Sequence, residues 1–153
     1  MHKGVQSALK QNQSDNNDGM DVSIVAINIL TNEIRWAGAF RSLVVVTKSG
    51  ELEKIEGNKY PIGGSQLNSE REFTTHVKQL QESDTMYLFS DGFADQFGGE
   101  KGKKFMVKKF HQDLLSIHHL NMDEQKNRLE KYFNDWKGNY EQVDDVLVIG
   151  IKV

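Results

Sequence analysis

The chain has no cysteine among its 153 residues, a single proline and only two tryptophans. Without cysteine there can be no disulfide, zinc–cysteine site or thiol nucleophile, which fits a reducing compartment and sets the expectation of a cytoplasmic protein. Long apolar runs are missing too. None approaches the roughly 20 residues that span a bilayer, and the polar start is not a secretory signal. The chain therefore carries no membrane segment of its own, which leaves a membrane-tethered parent protein compatible with it. A basic surplus is also absent: the formal net charge is −3. Nucleic-acid-binding domains usually show a basic stripe, so no nucleic-acid partner is expected.

What remains is the composition of one ordinary globular domain, 37% hydrophobic and 27% charged. A helix-like start over residues 2 to 12 leads into a polar loop from Gln13 to Gly19 that is dense in turn formers. Val22 to Ile29, Ile34 to Ala39, Leu43 to Thr47 and Leu52 to Ile55 read as the strands of a meander, joined later by Thr85 to Ser90. Val22 to Ile27 is apolar at nearly every position, which predicts a strand covered on both faces. His76 alternates within the strand-like Phe73 to Val77 and is expected on the exposed side. Met106, Phe110, Leu114 and Ile117 recur at helical spacing, as do Met122, Leu129, Phe133 and Trp136. Asn121 with Glu124 forms a reciprocal N-cap pattern, and Gly138 is placed to end that helix. A last strand is expected from Asp144 to Lys152. The order of strands, a helix pair and a final strand is that of an α+β domain.

Two acidic turns stand out. Met86-Tyr87-Leu88-Phe89 runs into Ser90-Asp91-Gly92, whereas Val146-Leu147-Val148-Ile149 runs out of Asp144-Asp145. As antiparallel neighbours these runs would bring both acidic turns to one sheet edge. Close carboxylates repel unless one is protonated or a cation lies between them, and a hard divalent ion is the common resolution. The bland alternative for Asp91 is a turn-capping aspartate, a common role before glycine, and for Asp144 and Asp145 a solvated strand entry.

The stretch from Asp84 through Ser90-Asp91-Gly92 to Gly99, then Lys101 to Phe105, closing on Gln142-Val143-Asp144-Asp145-Val146-Leu147-Val148-Ile149-Gly150, resembles the metal-dependent (PPM, type 2C) serine/threonine phosphatases. More narrowly it is similar to the bacterial branch typified by the stage II sporulation protein E phosphatase. Asn17 to Ser23, Ala37-Gly38-Ala39 and Pro61-Ile62-Gly63-Gly64 fit that branch in the same order. The resemblance implies a partial four-layer α-β-β-α sandwich with antiparallel sheets flanked by helices. It also implies hydrolysis of phosphoserine or phosphothreonine on a regulatory protein such as an anti-sigma antagonist. Asp91, Gly92 and Asp144 match the family's ligands for Mn²⁺ or Mg²⁺, and no residue is assigned as catalytic. The family's two upstream acidic motifs have no counterpart here, so the chain is expected to be the C-terminal portion of a catalytic domain and weak or partial as a metal site. Asp18-Gly19-Met20-Asp21 imitates one of them without its Gly-His-Gly, and Phe40 stands where the eukaryote-like branch has an acidic residue linked to a third metal.

Other motifs carry less. Gly98-Gly99-Glu100-Lys101-Gly102-Lys103-Lys104 is one residue short of a P-loop and has Lys104 where a hydroxyl should bind magnesium. His111, His118 and His119 lack the i, i+4 spacing of a helical zinc pair and read as surface histidines. Trp36 and Trp136 read as packing, and Asp95 and Asp145 as local structure. Lys101, Lys103, Lys104, Lys108 and Lys109 read first as a solvated helix start, and second as a patch for a phosphorylated partner. The competing function is a non-catalytic, partner-binding remnant of a phosphatase fold. In either case unpaired strand edges would favour self-association.

Overall fold

A computed structural model describes residues 1–64 and 71–153. The order is α1 (His2–Ala8), β1 (Gly19–Met20), β2 (Val22–Asn28), β3 (Glu33–Ala39), β4 (Ser42–Val46), β5 (Leu52–Glu56), β6 (Ile62–Gly63), β7 (His76–Gln79) and β8 (Thr85–Phe89). After these come α2 (Gly92–Asp95), β9 (Phe97–Gly98), β10 (Lys103–Lys104), α3 (Val107–Ile117), α4 (Met122–Lys137) and β11 (Val148–Lys152). The architecture is α+β with antiparallel sheets, as expected. The chain divides into two compact units: Met1–Leu43 with Ile55–Leu80, and Val44–Lys54 with Gln81–Val153.

In the first unit, β2, β3 and β7 form an antiparallel sheet in that order. The β2–β3 hairpin closes where the Asn28 Oδ1 accepts from the Leu30 and Thr31 amides and Asn32 takes φ 58°, a left-handed conformation that asparagine tolerates. Trp36, fully buried, donates its Nε1–H to Ser23 Oγ at 2.8 Å, which satisfies the one polar atom of a large core residue. Two expectations fail here. β2 has no fully buried residue and Ile24, Ala26 and Asn28 are exposed, because only one of its faces is even partly covered and alternate side chains point to the other. His76 is half-buried and Val77 exposed, the reverse of the expected alternation, because the register pairs His76 with Trp36 and sets their rings 5.5 Å apart. The buried Gln11 ties the loop after α1 to its surroundings: its side chain donates to the Asp18 carbonyl at 2.7 Å and accepts from the Gly64 amide at 3.0 Å.

The expected meander is divided between sheets: β4 and β5 join the antiparallel order β11-β8-β4-β5, which organises the second unit. Thr85 to Leu88 are buried in β8, the strand flanked by β11 and β4. Against them packs a cluster that includes Val44, Val46, Tyr87, Phe93, Phe105, Phe110, Leu114, Ile117, Leu129 and Phe133. Phe110, Leu114 and Ile117 are the buried stripe of α3, as the helical spacing predicts. Met106 is not part of it: it precedes the helix at φ 76° with its side chain exposed. On α4, Leu129 and Phe133 are buried, Asn121 and Glu124 form the reciprocal capping box, and Gly138 ends the helix at φ 52°. Gln125 is buried yet satisfied, accepting from the Tyr87 hydroxyl at 2.5 Å and donating to the Leu120 carbonyl at 3.0 Å.

Candidate metal centre

The site is built by the pairing of β8 with β11. Their antiparallel register sets Val148 opposite Phe89, Ile149 opposite Leu88 and Gly150 opposite Tyr87. Asp91 follows the end of β8 and Asp144 precedes the start of β11, so both acidic turns lie at the same end of the sheet. Residues 144–147 are not strand, contrary to expectation, because the Ser90 side chain takes the place of a ladder partner. Its Oγ donates to the Asp145 carbonyl at 2.8 Å and accepts from the Leu147 amide at 3.0 Å, while the Ser90 amide donates to the Leu147 carbonyl at 3.0 Å.

Gly92 locks the same junction from the other side. A Cβ placed there would lie 2.4 Å from the Asp145 carbonyl oxygen, so glycine is required by the closeness of two backbones. Phe93 then drives into the core, its ring 4.7 Å from Phe110, 5.0 Å from Phe105 and 5.2 Å from Phe133. Burying such a side chain is worth about 1.5–3 kcal/mol, and here it anchors the turn that carries Asp91. The fully buried Gln96 extends the anchor by donating to the Glu141 carbonyl at 2.8 Å, on the segment leading to Asp144. Neither Phe93 nor Gln96 was singled out from the sequence. Phe93 carries a weak signal, an aromatic just after an acidic turn, and Gln96 carries none.

The Asp91 and Asp144 side chains are exposed and Gly92 is buried. Asp91 makes no side-chain cap to α2, and its carbonyl accepts from the Asp95 amide at 2.9 Å. Asp144 Oδ1 accepts from the Asp145 amide at 2.7 Å and the Asp144 carbonyl accepts from Gln142 Nε2 at 2.8 Å, which orders the second turn. In donor chemistry the set fits a hard cation: carboxylate and carbonyl oxygens at a rigid sheet end. Among the described residues no group of three or more His, Cys, Asp or Glu side chains is placed to hold a metal ion.

The other motifs fall outside this centre. Asp95 pairs with Lys104 at 3.1 Å, and Asp145 is exposed with its backbone engaged by Ser90. The P-loop-like stretch is the β9–β10 hairpin and opens no helix. Gly19 and Met20 form β1, Asp21 pairs with Arg41 at 2.7 Å, and Phe40 is exposed at φ 56°. His118 and His119 lie past the end of α3 and His118 Nδ1 contacts the Leu115 carbonyl; His111 is half-buried on α3 rather than on the surface.

The family model described as Stage II sporulation protein E matches residues 2–153. No curated protein matches the sequence. Among solved structures, the chain is similar to the SiaA PP2C domain of Pseudomonas aeruginosa, at 24% identity and TM-score 0.87, over 99% of this chain and 57% of that one. The phosphatase domain of the cell fate determinant SpoIIE from Bacillus subtilis, presoaked with manganese, is similar at 10% identity and TM-score 0.63, over 87% of this chain and 56% of that one. RsbX in complex with magnesium is similar at 15% identity and TM-score 0.61, over 97% of this chain and 71% of that one. The chain thus spans just over half the length of the first two.

Proposed function

The chain belongs to the stage II sporulation protein E family of PP2C-type phosphatase domains, and from that premise we propose that it supplies part of a metal-dependent site that hydrolyses phosphoserine or phosphothreonine on a bacterial signalling protein. The observation that carries this reading is the Ser90–Asp145 and Gly92–Asp145 junction, which joins two acidic turns at one sheet end. Asp91, Asp144 and the Gly92 backbone would hold Mn²⁺ or Mg²⁺, which when bound neutralises phosphoryl charge and makes a water acidic enough to act near neutral pH.

The chain's own contribution is charge and register. Asp91 and Asp144 concentrate negative charge at the edge, Ser90 fixes the spacing of their turns, and Phe93 ties that edge to the core. Both carboxylates face solvent, which suits a phosphorylated side chain presented on a protein surface. A phosphorylated regulatory protein, an anti-sigma antagonist among the candidates, is the partner this reading favours. In a longer parent protein, Asp91→Asn or Asp144→Asn should lower Mn²⁺-dependent turnover of a phosphoserine protein by more than about 100-fold, with folding nearly intact. Unchanged turnover would remove both residues from the site.

The absence of a third acidic or histidine ligand among the described residues favours a second reading, a non-catalytic phosphatase fold that binds a phosphoprotein. The purified 153-residue chain should accordingly be a poor phosphatase in Mn²⁺ or Mg²⁺. A parent that stays inactive in both metals while binding phosphoprotein would establish the second reading.

A further inference from the structure

Asp144 lies between two backbone carbonyls that are both held by the chain around Asp91. On one side the Asp145 carbonyl accepts from Ser90 Oγ at 2.8 Å; on the other, the Glu141 carbonyl accepts from Gln96 Nε2 at 2.8 Å. Ser90 immediately precedes Asp91, and Gln96 ends α2, the four-residue helix that Asp91 begins. Such a helix is only about 6 Å long, so both fastenings belong to one short stretch of chain. Between them the Gln142 side chain donates to the Asp144 carbonyl at 2.8 Å, and Asp144 Oδ1 accepts from the Asp145 amide at 2.7 Å. The two acidic turns are thus stapled to one another on both sides of Asp144.

Gln96 is itself fixed from outside the two turns. Its carbonyl accepts from the Phe105 amide at 2.9 Å and from Trp136 Nε1 at 3.1 Å. Trp136, near the end of α4, is pressed against the β9–β10 hairpin. Its carbonyl accepts from the Gly99 amide at 2.8 Å, its ring meets Phe105 edge-on at 5.4 Å, and a Cβ on Gly98 would lie 1.8 Å from its carbonyl oxygen. The indole therefore does more than fill space. The Gln96 side chain is fully buried, and its Nε2 donates to the Phe97 carbonyl at 2.9 Å as well as to Glu141. Both neighbours are acceptors, which turns the amide nitrogen toward them and leaves Oε1 buried with no hydrogen-bond partner among the described residues. A buried acceptor without a partner costs free energy, and an apolar side chain of similar size would avoid that cost. What glutamine supplies and an apolar residue cannot is a two-donor clasp that reaches the acidic segment, so the position serves geometry at the expense of stability.

We propose that Gln96, held in place by Trp136, is a positioning residue of the candidate metal centre: its amide sets the separation of the Asp91 and Asp144 turns, and with it their joint affinity for a divalent cation. The proposal rests on the metal-site reading above and adds to it a residue that touches neither cation nor phosphate. Ligands held in place before the ion arrives bind it more tightly, because the cost of ordering them is already met. Residues that orient ligands from outside the coordination shell govern metal affinity for that reason.

The test follows backbone hydrogen exchange by mass spectrometry in the purified chain as Mn²⁺ is raised from an EDTA baseline, which requires no turnover. In the wild type, the amides of residues 90–96 and of residues 141–147 should gain protection together, with one Mn²⁺ midpoint. Gln96→Met removes both donors at nearly constant volume and should raise that midpoint roughly tenfold. Trp136→Phe removes the indole N–H, keeps an aromatic ring, and should raise it by a smaller factor. Asn121→Ala, at the other end of α4 from Trp136, is the control for lost stability and should leave the midpoint in place. Circular dichroism in EDTA checks that each variant folds, and if Gln96→Met does not, Trp136→Phe decides alone. A wild-type midpoint in either variant would overturn the proposal, as would an equal shift in Asn121→Ala. Protection of fewer than both turns in the wild type would remove the shared cation site and this inference together, whereas unshifted midpoints with both turns protected would leave the cation site standing.

Discussion

At Gly92 the chain has no room for a side chain, since a Cβ would lie 2.4 Å from the Asp145 carbonyl oxygen. Gly92→Ala should therefore cost about 1–3 kcal/mol in urea unfolding and push the two acidic turns apart, an overpacking penalty. An alanine variant with wild-type stability would mean the junction yields freely. Ser90→Ala removes a donor and an acceptor at once and should cost about 1–3 kcal/mol, with the Leu147 amide left without its partner. His111 gives a pH signature: burial, then the Lys54 charge, lowers its pKa, and its buried Nε2 has no hydrogen-bond partner. A lowered histidine pKa favours the neutral ring in the folded state. Its stabilising effect is full above about 6.5 and is lost as pH falls through the depressed value. His111→Gln should flatten that acid-side loss in thermal melts from pH 7 to 5, and an unchanged slope would assign it elsewhere. Tyr87 acts at the other extreme. Its hydroxyl, pushed up to about 12 by burial, makes stability fall as pH rises from about 10 through that value.

The clearest local signals lie in α4. Asn121 accepts from the Glu124 amide at 2.9 Å and Glu124 returns the bond to the Asn121 amide at 3.2 Å. Asn121→Ala should cost about 1 kcal/mol, or about 2–4 °C in Tm for a chain of this size, and Asn121→Asp should retain most of it. If alanine were neutral, packing rather than capping would set where the helix starts. This cap was legible because it depends on residues three positions apart. The β7 register was not legible, because His76 and Val77 exchange places through pairing with Trp36, forty residues away in sequence. The start of β11 was misplaced for a similar reason: the side chain that interrupts its ladder is Ser90, just past the end of β8 and far away in sequence.

At the scale of the molecule, β2 and β11 are outermost in their sheets among the described residues, and Ile24, Leu147 and Ile149 are exposed along or beside them. Unpaired strand edges with apolar neighbours recruit other chains. The purified chain should self-associate at tens of micromolar, roughly the range in which such edges aggregate. Sedimentation velocity reads this directly. A monomer with one sharp thermal transition would show that these edges are adequately protected in solution.

The sequence by itself determined the α+β class, most strand and helix positions, the capping box, and the two acidic turns whose flanking strands point in opposite directions. Those features depend on local periodicity, turn chemistry and the order of motifs, all written in neighbouring residues. Only the tertiary structure decided that the strands divide between sheets, that β2 leaves alternate side chains in solvent, and that Gly92 serves by admitting the Asp145 carbonyl. It also decided that Ser90, Phe93 and Gln96 hold the candidate site together. The physical reason is common to all of these: each depends on a contact between residues distant in sequence, and such contacts are fixed by packing and register rather than by the preferences of the residues themselves.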